Sequence, residues 1–327
     1  MATYKESIGT AVTNVAGDPP APVTGQLWYN SSTGNFRLKT FVGIGSWSTA
    51  NTMNTARYYM AGAGTQTSAL AFGGRGFPTA ALSATESYNG TNWTAVNSMN
   101  TARSYLGGCG ASNTNALVFG GSDGSSLVNN TETWNGSNWT EVNNLNTARG
   151  RIAVSGAGTN TACLAFGGNV SPQDHTELWN GTNWTEVNDL NVGRQQAAGS
   201  GTSTSAICSG GESPGADVDS NETWNGSAWT EVADLNSAKK GLMGAGTGNT
   251  SAIVFGGSPA IADTESWDGT SWTELNNMNT GRNQFGPAGT ATSALAFGGG
   301  PSVPSNGNLT EEWSESPSPT TKTITVS

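Results

Sequence analysis

The sequence has little charge and little of the chemistry on which most enzymes depend. Only 11% of its 327 residues are charged, and it contains one histidine and three cysteines. Lysine and arginine total 13 against 23 aspartates and glutamates, which gives a formal net charge of −10. Nucleic acids and anionic membrane surfaces attract a basic footprint, and this chain has none. The sequence also lacks an apolar run long enough to span a bilayer. We therefore expect no nucleic-acid partner and no membrane insertion.

The start of the chain bears on where the protein is made, and the positions of the cysteines bear on whether it forms disulfides. The start, MATYKESIGTAV, carries Lys5 and Glu6 and does not read as a secretory signal, which predicts synthesis in the cytoplasm. Cys109, Cys163 and Cys208 fall at three different phases of the repeat in this chain. Because a disulfide framework would reuse equivalent positions, we expect three free, buried thiols.

What the sequence has in abundance is glycine and an internal repeat. A motif ending in a cation recurs six times at intervals of 43 to 46 residues, and a short apolar run closed by a glycine pair follows each one. The motif cations are Arg57, Arg103, Arg149, Arg194, Lys239 and Arg282. The apolar runs are ALAFGG (69–74), ALVFGG (116–121), CLAFGG (163–168), AICSGG (206–211), AIVFGG (252–257) and ALAFGG (294–299). This period, divided into four short strands, predicts the blades of an all-β propeller.

Each blade has strands that we label a to d from the axis outward. Strand a follows the cation, strand b is the apolar run, strand c carries a Glu-x-aromatic step, and strand d begins at a second tryptophan. Asn-Gly or Asp-Gly between strands c and d supplies the positive φ of a tight turn. The strand-c aromatics are Tyr88, Trp134, Trp179, Trp224, Trp267 and Trp313, and the strand-d tryptophans are Trp93, Trp139, Trp184, Trp229 and Trp272.

Blade six therefore lacks its own outer strand. Trp47 stands one period before Trp93, so we predict that an N-terminal strand around Trp47 completes blade six and closes the ring. The competing possibility is that TKTITVS (321–327) supplies the strand, although it has no tryptophan. We expect an attachment segment at 1–44, a six-bladed propeller at 45–315 and a tail at 316–327.

These motifs resemble the kelch family, over residues 46 to 313. The wording NTAR…GAGT…ALAFGG…TESWNGTNWTEV is similar to kelch-type proteins of marine tailed bacteriophages, and GQLWYNSSTGNFRLK (25–39) resembles a hairpin segment of phage tail-fibre proteins. The resemblance implies a virion structural protein, such as a tail-fibre adhesin. It would be made in the host cytoplasm, oligomerise in the particle, and contact other virion proteins through residues 1–44.

Few residues of the chain are candidates for catalysis. Copper oxidation of the galactose oxidase type needs more than one histidine, and the chain has only His175. No sialidase Asp box occurs, and serine hydrolase chemistry would need a histidine base, whereas His175 stands alone in a variable loop. We expect no enzyme activity and no metal or other cofactor. A carboxylate pair for glycoside hydrolysis remains an alternative, from the loop residues Asp123, Asp174, Asp217, Asp219 and Asp263.

The repeated charges have a structural interpretation. Glu86, Glu132, Glu177, Glu222, Glu265 and Glu311 recur once per blade, as the motif cations do. Ion pairs or main-chain hydrogen bonds repeated around the ring would account for both sets, and a single ligand site would need residues that are not repeated.

Residues that are not repeated lie between strands b and c. These loops differ in length and content while the other turns barely change, and they share a face with the d–a connections. We therefore predict a binding face for a host-surface glycan or protein receptor. The candidate binding residues are Arg75, Phe77, Asp123, Asp174, His175, Glu212, Asp217, Asp219, Asp263, Asn306 and Asn308. The alternative is a virion decoration or assembly module that binds no receptor.

Overall fold

A computed structural model describes residues 4–5, 11–19, 27–78, 80–154, 158–300 and 307–324. The regular elements of these residues are all β-strands. No helix among them is long and apolar enough to cross a membrane. The chain divides into two compact units: Ser46–Ser314, and Met1–Gly45 together with Glu315–Ser327.

The smaller unit is built from short strands. They are β1 (Tyr4–Lys5), β2 (Ala11–Val15), β3 (Leu27–Asn30) and the beginning of β4 (Asn35–Ala50). β1 pairs antiparallel with β2, β2 runs parallel to β3, and β3 forms a hairpin with β4. Asp18 fixes this hairpin by accepting hydrogen bonds from Trp28 Nε1 at 3.2 Å and Asn30 Nδ2 at 2.8 Å.

The larger unit consists of six antiparallel blades. Blade 1 contains β5 (Ala61–Thr65), β6 (Ser68–Phe72), β7 (Thr85–Tyr88) and β8 (Trp93–Val96). Blade 2 contains β9 (Gly107–Ser112), β10 (Asn115–Phe119), β11 (Thr131–Trp134) and β12 (Trp139–Val142). Blade 3 contains β13 (Ala153–Val154), β14 (Cys163–Phe166), β15 (Thr176–Trp179) and β16 (Trp184–Glu186).

The second half of the ring follows the same order. Blade 4 contains β17 (Ala198–Thr202), β18 (Ser205–Ser209), β21 (Asn221–Trp224) and β22 (Trp229–Val232), and its b–c loop adds a small hairpin of β19 (Glu212–Ser213) and β20 (Ala216–Asp217). Blade 5 contains β23 (Met243–Gly248), β24 (Ser251–Phe255), β25 (Thr264–Trp267) and β26 (Trp272–Glu274). Blade 6 contains β27 (Gly286–Thr290), β28 (Ser293–Phe297), the beginning of β29 (Thr310–Ile324) and the end of β4. The six-bladed all-β propeller predicted from the repeat is confirmed.

The end of β4 is the outer strand of blade 6, as predicted from Trp47. Trp47 Nε1 donates to Thr264 Oγ1 of the preceding blade at 3.0 Å, as Trp93 Nε1 does to Thr310 Oγ1 across the next boundary. The equivalent bonds elsewhere are Trp139 to Thr85, Trp184 to Thr131 and Trp229 to Thr176. The competing assignment of residues 321–327 is wrong, because the part of that segment that is described, 321–324, continues strand c as the end of β29.

The apolar core lies in six layers between neighbouring blades. Every layer packs strand-b residues of one blade against strand-b, strand-c and strand-d residues of the next, and strand-a residues join five of the six layers in the part of the chain that is described. Trp47 lies in the layer between blades 5 and 6, and Met53, Met60 and Trp93 lie between blades 6 and 1. Since both boundaries that involve blade 6 are filled like the other four, the ring is closed.

Buried ion pairs hold each blade to the chain that enters it. In blade 1, Glu86 accepts hydrogen bonds from the Asn54 amide at 2.7 Å and the Thr55 amide at 3.1 Å, and its carboxylate lies 3.1 Å from Arg57 Nη2. Arg57 Nη1 also donates to the Ala84 carbonyl. The other pairs are Arg103–Glu132, Arg149–Glu177, Arg194–Glu222, Lys239–Glu265 and Arg282–Glu311. The structural interpretation of the repeated charges is confirmed.

Arg57 stays charged although it is buried. Desolvation lowers the pKa of Arg57 to about 10, and the Glu86 carboxylate opposes that shift. A pKa near 10 still leaves the guanidinium protonated at neutral pH. Removing one partner would leave the other as an uncompensated buried charge.

The expectation of three free thiols is wrong for two of them. Cys109 in strand a of blade 2 and Cys163 in strand b of blade 3 form a disulfide, whereas Cys208 is free and buried. Both paired cysteines belong to the layer between blades 2 and 3, where strand a of one blade packs on strand b of the next. Equivalent repeat positions are therefore not required for a bond between blades.

Candidate functional site

One face of the propeller carries both the d–a connections and the starts of the b–c loops. The residue after each motif cation pairs with the residue after the glycine pair of the same blade, as in the bridges Tyr58–Arg75 and Gln195–Glu212. The glycine pairs have positive φ angles, which lets the backbone turn at this point. The loops that vary between blades therefore begin beside the axis of the ring.

Six residues close a ring of main-chain hydrogen bonds at this end of the axis. Each lies two positions after a motif cation and has a positive φ, between 54° and 66°. The ring residues are Tyr59, Tyr105, Arg151, Gln196, Gly241 and Gln284. The amide of each donates to the carbonyl of the ring residue in the preceding blade, at 2.8 to 3.2 Å, and Tyr59 completes the circle by donating to Gln284.

The ring backbone is repeated six times, but its side chains are not. A left-handed backbone costs roughly 1–2 kcal/mol for a residue with a Cβ, and glycine avoids that cost. Gly241 shows that glycine fits, yet the other five positions carry tyrosine, arginine or glutamine. The side chains are therefore retained against a backbone cost, which is typical of functional positions.

One half of the ring is aromatic and cationic. The rings of Tyr59 and Tyr105 lie 3.8 Å apart between centroids, and Tyr58 packs on Tyr59 at 4.8 Å. The guanidinium groups of Arg75 and Arg151 lie 5.7 and 5.2 Å from the centroid of Tyr105, within the range of a cation–π contact. Burial raises the pKa of Tyr59 to about 12, and contact with Tyr105 adds to the shift, so Tyr59 is a neutral hydrogen-bonding group at neutral pH.

The other half is a chain of polar side chains. Gln284 Nε2 donates to Gln196 Oε1 at 3.2 Å, and Gln196 Nε2 donates to Glu212 Oε2 at 3.0 Å. Lys240 Nζ lies 3.5 Å from Glu212 and 3.1 Å from Asp217. The hydrogen bond to Asp217 is the main reason that the pKa of Lys240 is raised. In this half, the carboxylates of Glu212 and Asp217 are therefore paired with Lys240.

Two spaces border the ring. Below it, a narrow apolar cavity of about 80 Å³ is lined by residues such as Leu106, Ile152 and Met243. Beside it, a cleft of about 470 Å³ runs between Tyr58, Phe77, Pro259 and Gln284. Gln284 lines both, so a molecule in the cleft would reach the ring. The cleft falls within the usual size range of small-ligand sites, whereas the cavity fits only a small substituent.

Four of the residues predicted to bind a ligand lie on this face near the ring. Arg75 and Glu212 contact ring residues directly, and Asp217 reaches the ring through Lys240. Phe77 lines the cleft and is 66% exposed, the largest exposure of any large apolar side chain that is described. We define the channel mouth as the six ring residues together with Arg75, Phe77, Glu212, the cavity and the cleft.

The structure places other predicted residues at the start of strand c, where they support the blades. The main-chain carbonyl of His175 accepts from Arg149 Nη1 at 2.6 Å, and those of Asp174 and Asp219 accept from the amides of Leu190 and Leu235. Asn308 exchanges hydrogen bonds with the main chain of Met53. These contacts recur from blade to blade, so the main-chain groups at these positions have a structural role.

The remaining predicted residues do not join the channel mouth either. Asp123 accepts from the amides of Ser125 and Ser126 within its own loop, and these bonds lower its pKa. Asp263 is partly exposed and lies 4.0 Å from Lys239 Nζ. Asn306 lies outside the described residues.

One further cluster has the ligand types of a metal site. Potential ligand atoms of Asp174, His175 and Asp189 lie within 4.8 Å of one another. Asp189 Oδ1 already accepts from the Thr176 amide at 2.9 Å, and Asp189 is exposed. In the described part of the chain this is the one such group of three, and it includes only one of the five carboxylates considered for glycoside hydrolysis.

The ring itself was missed by sequence reasoning. The signal was present, because the second residue after each motif cation reads Tyr, Tyr, Arg, Gln, Gly and Gln in repeat phase. The blades differ more visibly in the lengths of their b–c loops, and that difference obscures this signal. The positive φ of these positions is also not visible in the sequence.

The comparisons with known proteins show the fold and nothing finer. No protein-family model matches the chain, and no curated protein sequence does. Among solved structures, the fold is similar to that of YjhT, with a TM-score of 0.65 and 14% identity. The match covers 80% of this chain and 95% of YjhT. The chain thus has the fold of a β-propeller.

Proposed function

We propose that this protein is a non-enzymatic structural protein of a phage particle, a tail-fibre or other surface adhesin whose channel mouth binds a host-surface glycan. The observation that carries the proposal is the ring of six equivalent backbone positions with unequal side chains. A scaffold role alone would be served by glycine at all six, since glycine adopts this backbone without strain.

The chemistry of the channel mouth suits a saccharide. Sugars present hydroxyl groups to amides and carboxylates, and they present apolar C–H faces to aromatic rings. Gln196, Gln284 and Glu212 supply the first kind of group, and Tyr58 and Phe77 supply the second. Aromatic side chains are few, so each site would bind weakly, and display of many copies on one particle would compensate.

Residues 1–44 serve as the attachment segment in this proposal. They fall in a compact unit with its own hairpin, separate from Ser46–Ser314. The resemblance of residues 25–39 to a phage tail-fibre segment supports contact with other virion proteins. A decoration or assembly module that binds no receptor is the second candidate, and the separate unit favours it equally.

The test is binding of the full-length protein, multimerised on beads, to a panel of bacterial cells and purified surface polysaccharides. We expect saturable binding to at least one polysaccharide, reduced about tenfold by Phe77→Ala, since truncating a central aromatic contact costs that much at other interfaces. Ser137→Ala, an exposed turn residue between strands c and d and so on the other face, is the control and should bind like the wild type.

The two candidates separate on a second variant. Removing residues 1–44 should abolish incorporation into particles while leaving polysaccharide binding intact, because Trp47 and blade 6 are retained. If the multimerised wild type binds no cell and no polysaccharide, the adhesin proposal fails, and loss of incorporation alone would then favour the assembly module.

A further inference from the structure

Cations that do not belong to the repeated ion pairs are concentrated at one place. Ser46–Ser314 contains nine lysines and arginines, all in the described part of the chain. Six are the motif cations, which are buried against glutamates. The other three are Arg75, Arg151 and Lys240, and each of them lies at the channel mouth. In a chain with a formal net charge of −10, the free positive charge of the propeller is thus confined to its central opening.

In the described part of the chain, two of these three cations have no carboxylate partner. Lys240 is neutralised by Glu212 and Asp217. Among the described residues, no carboxylate oxygen comes within 4.0 Å of Arg75 or Arg151. Among the described residues, Arg151 Nη1 makes only a long hydrogen bond of 3.4 Å to Gln195, and Arg75 Nε has no partner.

Contact with Tyr105 holds both guanidinium groups without neutralising them. The tyrosine ring lies between 5 and 6 Å from each, so it orients them and shields part of their surface from water. Guanidinium groups fixed in this way present planar donors to an anion, and a charge-assisted bond gains strength where water is partly excluded. The aromatic half of the ring therefore has an unmatched positive charge and an unfilled set of donors.

We infer that the channel mouth recognises an anionic group of the glycan, a carboxylate or phosphate substituent bound by Arg151 and Arg75, with the neutral part of the saccharide in the cleft. The inference rests on the proposed function and names its ligand class. The cavity of about 80 Å³ under the ring is too small and too apolar for a charged sugar, so the anion binds at the rim of the opening.

The experiment measures binding of the full-length protein to three immobilised probes. They are polygalacturonate, its neutral methyl ester, and poly(glycerol phosphate). We expect at least one acidic probe to bind more tightly than the neutral ester by about tenfold or more, with affinity falling as salt rises. Preference for polygalacturonate identifies the source as a sugar acid, and preference for poly(glycerol phosphate) identifies it as a phosphate.

Variants assign the effect to the two arginines. Arg151→Gln should weaken acidic-probe binding about tenfold, and the double variant with Arg75→Gln should remove the preference. Arg151→Lys keeps the charge but loses the planar fork, and we expect an intermediate effect. Ser137→Asp changes the net charge by the same amount on the other face and is the matched control. Thermal unfolding of each variant checks that the fold is retained.

Three results would overturn the inference while the adhesin proposal stands. One is equal binding of the methyl ester and the acidic probes by a wild type that does bind polysaccharides. The second is acidic-probe binding that Arg151→Gln leaves unchanged or that Ser137→Asp reduces equally, since the preference would then reflect overall charge. The third is a wild type that binds bacterial polysaccharides but none of the three probes.

Discussion

The motif cation and the ring residue lie two positions apart in every blade connection. The residue type is nearly constant at the first position and variable at the second. The cation is arginine five times and lysine once, it is buried, and its carboxylate partner is always the strand-c glutamate. The ring residue has four different identities in six places, although its backbone conformation is the same in all of them. Blade closure fixes the first position, whereas the backbone leaves the side chain of the second free to vary.

The largest expected effect contrasts two arginines of these different kinds. Arg103→Met should destabilise the protein by about 3–5 kcal/mol, because Glu132 would remain buried without its partner. Arg151→Met should cost less than about 1 kcal/mol, because none of the carboxylates that the structure describes pairs with Arg151. Chemical denaturation of both variants tests the contrast. Similar losses at the two positions would mean that the ring side chains also hold the fold together.

The next prediction concerns whether the N-terminal strand is an ordinary sixth member of the framework. Trp47→Phe removes the hydrogen bond to Thr264 and part of a buried side chain, and we expect a loss of about 1–2 kcal/mol. Trp184→Phe, which loses the equivalent bond to Thr131, should cost the same within error. Hydrogen exchange should show blade 6 opening first only in the Trp47 variant. A silent Trp47→Phe beside a costly Trp184→Phe would contradict the closure assignment.

A gain of stability is expected at the one lysine among the motif cations. Lys239 pairs with Glu265 through a single nitrogen, whereas the arginines also donate to the carbonyls after strand b and before strand c. Lys239→Arg should restore those bonds to Gly256 and Asp263 and add about 1 kcal/mol, seen as a higher melting temperature. Arg149→Lys is the reciprocal control and should lower it. A neutral or harmful Lys239→Arg would show that blade 5 has adapted to lysine.

The smallest effect is expected within the ring. Gln284→Gly relieves a left-handed backbone but makes the unfolded chain more flexible, so stability should change by less than about 1 kcal/mol. Polysaccharide binding should nevertheless fall, since Gln284 lines both the cavity and the cleft. Gly241→Gln makes the opposite change, a glutamine in place of the one ring glycine. The site has room for it, because a Cβ there would meet its nearest neighbours at 3.6 Å, an ordinary contact. Binding that is insensitive to both changes would argue against a ligand at the ring.

The sequence predicted whatever repeats and little of what does not. Six blades, the closure through Trp47 and the pairing of motif cations with strand-c glutamates all follow from one period read along the chain, because each is a contact made six times. The bond between Cys109 and Cys163 could not be read in this way, since it joins different strands of neighbouring blades. The ring of hydrogen bonds depends on a positive φ at six positions, and five of them carry residues that do not signal this angle in the sequence. Asp174 and His175 have side chains suited to a binding site, whereas the structure uses their main-chain carbonyls as hydrogen-bond acceptors.

The location of the ring residues has a consequence for how such a protein changes over generations. Each ring residue is encoded two codons after its motif cation, within the same repeat as the b–c loop that begins beside it. A recombination event that exchanges one repeat for another would therefore carry one side chain of the ring and one loop together, along with the motif cation and strand-c glutamate of that repeat. New combinations at the opening can arise by shuffling whole repeats.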